Sequence, residues 1–153
     1  MTGTLILRLA LAAGLGMLIG MERAYRAKTA GTRTHCLVAL GSALFMIVSQ
    51  YGFLDASGGA GVHAADPARV AAQIVSGIGF LGAGTIIMQK HVIHGLTTAA
   101  GMWVAAGIGM ASAAGLYWVA VAATAFCLVG LELFGRLNRA IRSHAEKEPE
   151  NAG

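Results

Sequence analysis

Apolar positions run in four stretches free of Asp, Glu, Lys and Arg, at residues 9–21, 35–54, 70–89 and 95–131, and the charge is gathered between them. An α-helix rises 1.5 Å per residue, so about 20 residues cross the roughly 30 Å hydrocarbon core of a bilayer. The pattern predicts membrane spans at about Thr4 to Met21, Thr34 to Phe53 and Asp66 to Met88. The stretch from Gly95 to Leu131 would make a helix about 55 Å long, too long for one crossing. Its sequence ASAAGLYW offers a break near Gly115, with Tyr117 and Trp118 as interfacial anchors. Two further spans follow, at Thr97 to Ala111 and Leu116 to Phe134. The expected fold is all-α, a polytopic membrane bundle of about five transmembrane helices occupying residues 1–134. Residues 135–153 are expected to be a short basic cytoplasmic tail: Arg136, Arg139 and Arg142 at its start mark an amphipathic helix end, and EKEPENAG a disordered terminus.

The third span differs from a lipid anchor written in Leu, Ile and Val. Asp66 followed by Pro67 is a strong helix start, and Gln73, Ser76, Gly77, Gly79, Gly82, Gly84 and Thr85 suit close helix contact better than lipid. This segment is expected to face protein and to form the centre of the packing unit. Close-approach glycines recur elsewhere, as Gly16-x-x-x-Gly20 in the first span and as Gly101, Ala105 and Gly109 in the fourth.

Composition agrees with a membrane protein: 56% of the residues are hydrophobic and 12% charged, against about 25% charged in soluble domains. The net charge of +4 flanks apolar runs, where it sets orientation and meets lipid head groups, so nucleic acid is not an expected partner. With five spans, nine of the eleven Lys and Arg residues fall on one side, which predicts a periplasmic N-terminus and a cytoplasmic C-terminus. Ala10-Leu11-Ala12 imitates a signal cleavage site, but there is no basic segment before the apolar stretch and Arg8 lies within it. Cys36 and Cys127 sit in apolar runs and read as packing residues.

Gly77-Ile78-Gly79-Phe80-Leu81-Gly82 matches G-x-G-x-x-G, yet the dinucleotide fingerprint needs a preceding strand and an acid about 20 residues on. Here the pattern is in mid-span and the next carboxylate after Asp66 is Glu132. Polar groups at membrane depth are the remaining candidates for function: Arg8, Glu22, Arg23, Arg33, Thr34, Asp66, Arg69, Gln73, Ser76, Thr97 and Thr98, with Glu132 beside them. Glu22 could pair with Arg33, Asp66 with Arg69, and Arg8 with Asp66 across a helix interface. His91-x-x-His94 lacks a third ligand, no serine has a base at membrane depth, and carboxylates are too few to hold Mg²⁺. No metal, cofactor or catalytic residue is expected, and the chain is not expected to be an enzyme.

Three blocks in order, GMLIGMERAYRAKTAGTRTHCLVALGSALF (Gly16 to Phe45), DPARVAAQIVSGIGFLGAGTII (Asp66 to Ile87) and GLTTAAGMWVAAGIGMA (Gly95 to Ala111), make the chain similar to the MgtC/SapB family of bacterial inner-membrane proteins. The resemblance covers about residues 3–134. It implies a polytopic inner-membrane protein associated with growth at low magnesium and, in pathogens, with survival inside macrophages. Such proteins act on other membrane machinery, including ATP synthase. The characteristic family positions here are Glu22, Arg23, Gly31, Arg33, Thr34, Asp66, Arg69, Gln73, Ser76, Gly77, Gly79, Phe80, Gly82, Gly84, Gly95, Thr97 and Thr98. Longer members add a folded cytoplasmic domain, which this chain is expected to lack, and His94 stands where relatives often carry a basic residue. The implied role is regulation or interaction, through a homo-oligomer or another inner-membrane complex. The alternative is a small oligomeric transporter or channel for Mg²⁺ or another ion, with Asp66, Arg69, Gln73 and Ser76 at its entrance.

Overall fold

The computed structural model describes residues 2–52 and 66–145. The segment LDASGGAGVHAA and the terminus EKEPENAG, the second of them expected to be disordered, lie outside the described residues. Among the described residues there are five α-helices: α1 (Thr2–Tyr25), α2 (Thr32–Tyr51), α3 (Pro67–Gly84), α4 (Leu96–Ala113) and α5 (Tyr117–Ala145). Four of them, α1, α2, α4 and α5 through Leu137, are long and apolar enough to cross a membrane, and α3 is a shorter apolar helix. At 18 residues, α3 is about 27 Å long, slightly less than the hydrocarbon core. α5 runs without a break through the boundary expected at residue 134.

Between α3 and α4 the chain forms a two-stranded antiparallel hairpin, β1 (Ile87–Gln89) and β2 (Val92–His94), with Met88 opposite Ile93. Its turn places Lys90 and His91 at φ 48° and 64°, the left-handed geometry of a tight hairpin turn. The expected third span to Met88 therefore ends at Gly84, and the residues that follow form a strand pair. Gly95 then starts α4 at φ 90°, where any Cβ would collide with the Thr85 carbonyl; only glycine fits. The break expected near Gly115 is present, with that residue at φ 81°.

α1, α2 and α4 form the centre of the bundle. Their contact is close because small residues meet backbone. A Cβ on Gly16 would lie 2.6 Å from the His35 carbonyl oxygen and 2.7 Å from the Ala39 Cβ, and one on Gly20 would lie 2.6 Å from the Thr32 Cα. From the other side, Gly109 abuts the Ala39 backbone and Gly101 abuts the His35 ring. The His35–Ala39 turn of α2 is thus held between two glycine faces. Ala12, Ala43, Ile47 and Ala113 close the interior near one end, and Leu15, Ile19, Ile108 and Ala120 bind α5 to α1 and α4. Two buried hydroxyls are satisfied within their own helices: Ser112 donates to the Ile108 carbonyl and Thr124 to that of Ala120, while the buried Ser49 Oγ has no hydrogen-bond partner among the described residues.

α3 is peripheral, which corrects the expectation that it forms the centre. It meets α2 and α4 along one edge, with Ile74 and Ile78 packed near Ala106. The physical reason is that only its apolar edge finds partners within the chain. Gln73, Ser76, Gly77, Gly79 and Gly84 are exposed, and Phe80 is 81% exposed. Gly82 touches Ala99 on α4 at an ordinary distance, whereas a Cβ on Gly77, Gly79 or Gly84 would meet nothing within 4 Å. Those three glycines do not pack helices together within this chain.

Candidate functional site

The alternating helices bring the end of α1, the start of α2, the β-hairpin, the start of α4 and the later half of α5 to one end of the bundle. Glu22 is the hub there. α1 continues through Glu22 instead of ending at Met21, because Glu22 and Arg26 are four apart and pair, a spacing that supports a helix. Glu22 accepts from Arg23 Nη2 at 2.8 Å and from Arg26 Nε at 2.6 Å. Arg26 reaches across to Glu132 of α5, which is also bonded to Arg136. The bond to Glu132, with help from Glu22, raises the pKa of the Arg26 guanidinium above its ordinary value, so Arg26 stays charged. Three arginines share two carboxylates and tie α1 to α5.

Arg23 is only 3% exposed. Its charge is tolerable because Glu22 is adjacent. Beneath it is His35, fully buried. His35 Nδ1 is 3.0 Å from the Gly31 carbonyl oxygen; a carbonyl only accepts, so Nδ1 carries the proton. Nε2 has no hydrogen-bond partner among the described residues and points at Gly101 of α4. Thr98 is buried one turn away. The sequence reading missed His35; the signal for it was Gly101, which leaves room at that ring.

An open groove of about 1480 Å³ runs between the hairpin, the start of α4 and α5. Arg23, Arg26, Lys28, His94 and Arg136 line its mouth together with Glu132, and Leu96, Val104, Phe126, Leu131 and Phe134 supply apolar walls. A second groove, of about 550 Å³ between α2 and α3, is almost wholly apolar, with Phe45, Ile74, Gly77 and Leu81 among its walls and Gln73 at its edge.

The other candidates are dispersed, and three expected pairs are replaced. Arg8 is at the opposite end and does not meet Asp66. Its Nε donates to the Tyr117 hydroxyl at 3.1 Å, and its Nη1 to the Tyr51 hydroxyl at 3.1 Å and to the Ala113 carbonyl at 2.7 Å. That carbonyl belongs to the last turn of α4, the negative end of the helix dipole, which explains why Arg8 settles there. Glu22 pairs with its own helix rather than with Arg33, which is exposed. Asp66 caps α3, accepting from the Ala68 amide at 3.0 Å, and forms no ion pair with Arg69 among the described residues. Thr34 is half-buried and Thr97 exposed. Among the described residues no three His, Cys, Asp or Glu side chains come together as metal ligands.

Five helices among the described residues, four of them long and apolar enough to cross a membrane, with most Lys, Arg, Asp and Glu side chains near the helix ends, define a multi-pass α-helical membrane protein. The profile of the MgtC family matches residues 9–140, and the chain belongs to that family. It is 50% identical over 137 residues to YhiD of Escherichia coli (strain K12), covering 90% of this chain and 63% of that protein. It is 48% identical over 114 residues to protein MgtC of Brucella abortus (strain 2308), covering 74% of this chain and 44% of the relative. With protein MgtC of Salmonella typhimurium (strain LT2) it shares 46% identity over 123 residues, 80% of this chain and 49% of the relative. The chain thus spans less than two thirds of the length of these relatives. No solved structure matches it.

Proposed function

We propose that this chain is a regulatory or interaction protein of the bacterial inner membrane, acting on other membrane machinery during adaptation to low magnesium, with no catalytic step of its own. The carrying observation is the outer face of α3. Gln73, Ser76, Gly77 and Gly79 are uncovered, although polar side chains and glycines in a membrane favour helix contact over lipid. A helix of a second copy or of another complex would cover them. The charged end faces the cytoplasm in this reading, as the concentration of Lys and Arg there favours. Labelling of Lys90→Cys from the inside and Ala114→Cys from the outside, in a Cys-free background, is the expected pattern, and labelling of both from one side overturns the orientation.

A second reading is favoured by the YhiD relative, which is named as a candidate magnesium transporter. It requires an oligomer, since five helices are few for a transporter acting alone. Liposomes separate the two. Mg²⁺ flux above that of empty vesicles, abolished in Asp66→Asn, supports transport. No flux, with capture of one defined membrane protein by a photocrosslinker at Gln73 in magnesium-starved cells, supports the interaction role.

A further inference from the structure

The groove between α4 and α5 carries more positive than negative charge. Arg23, Arg26, Lys28 and Arg136 line it, while among the described residues the carboxylates paired with these cations are Glu22 and Glu132. Four cations against two anions leave a surplus at the mouth. Lys28 makes no ion pair among the described residues, and Arg136 keeps its side chain 73% exposed despite its bond to Glu132. Below that mouth the walls turn apolar, and Phe126 and Phe134 are largely exposed on the outer face of α5. The volume of about 1480 Å³ exceeds the roughly 300–1,000 Å³ of pockets that take small molecules.

From this arrangement we infer that the α4–α5 groove binds one anionic phospholipid, its phosphate held by Lys28, Arg26 and Arg136 and an acyl chain lying along Leu96, Phe126, Leu131 and Phe134. Charge and polarity both change along the groove in the sense that a lipid requires: a cationic rim at the depth of head groups and a hydrocarbon wall toward the bilayer interior. A soluble anion would use the rim and leave the aromatic wall bare. A protein helix would need its own acid to match the rim and would cover the wall without needing phosphate. The hairpin closes one side through Ile93 and His94, and its exposed Ile87, Met88, Val92 and Ile93 would lie among the same lipids.

The test uses the full chain in nanodiscs or detergent micelles with phosphatidylglycerol or phosphatidylcholine, reading bound lipid by native mass spectrometry and thermal unfolding in parallel. Expected is a one-to-one adduct with phosphatidylglycerol that raises the melting temperature, and at least fivefold lower occupancy in the Lys28→Gln, Arg136→Gln double variant. Both side chains are at the surface, so the variant keeps its fold, as its unchanged melting temperature in phosphatidylcholine will report. Lys90→Gln, which removes one charge outside the groove, retains the adduct. Equal retention of the two lipids overturns the inference, as does an equal loss in Lys90→Gln. Displacement of the lipid by millimolar inorganic phosphate also overturns it, assigning the rim to a soluble anion.

Discussion

Glycines of α1 and α4 and glycines of α3 belong to the same chain and to similar sequence patterns, yet they have opposite surroundings. Gly16, Gly20 and Gly109 each bring their helix against α2 so closely that a methyl group has no room, and Gly101 sits tightly against the His35 ring. Gly77, Gly79 and Gly84 face open space. The difference teaches that a small-residue pattern in a span identifies a surface able to approach another helix, not the helix that it approaches. In α1 and α4 the partner is within the chain. On α3 it would have to come from outside.

The largest test of this contrast is Gly16→Val. Its Cβ would press on the backbone of His35, which cannot rotate away as a side chain could, so a loss at or above the roughly 1–3 kcal/mol of ordinary overpacking is expected. Reversible unfolding in mixed micelles measures it; a loss below about 1 kcal/mol would deny that α1 and α2 meet as described. Next comes Arg8→Met, which strips the Ala113 carbonyl and two tyrosine hydroxyls of their donor. About 1–3 kcal/mol is expected from the unsatisfied groups, and the same unfolding assay reads it. Glu132→Gln should cost less, within about 1 kcal/mol, because Glu132 is 40% exposed and pairs in such positions are weak. The smallest effect belongs to Gly79→Ala. Isolated protein should be unchanged or more stable by up to about 1 kcal/mol, since alanine is the better helix former and meets no neighbour. If Gly79→Ala destabilised the isolated chain as Gly16→Val does, the contrast between the two regions would vanish.

Much of the bundle was legible because apolar length and charge position are nearly sufficient to define membrane spans. The break at Gly115 followed from the length of the apolar run and from the ASAAGLYW segment within it. The Asp66 cap was visible in the Asp-Pro pair. The central helix was not: α3 carries more glycine than α4, but α4 meets all four of the other described helices, and no local pattern tells which small-residue face finds its partner first. The hairpin escaped notice because Lys90-His91 lacks the Gly or Asn that normally signals its turn, although IMQ and VIH flank two residues with matching apolar character. Glu22, Arg23 and the tightness of Gly16 and Gly20 were foreseen as residues, while their partners were not, since pairing depends on which helix ends are neighbours. His35, which drew no notice within its apolar run, is buried beside Gly101.

The Arg8 contacts have a consequence for how the chain is made. Its guanidinium is in the first helix, and two of its acceptors, Ala113 and Tyr117, lie 105 and 109 residues later. At synthesis rates of about 5–20 residues per second, α1 waits roughly 5–20 s before those acceptors exist. During that interval its charge must stay near the surface of the membrane, reached by the length of its own side chain. Although α1 is made before α2 to α5, it is therefore among the last to be fully seated, and a pause in translation before α5 would leave it exposed to quality-control proteases.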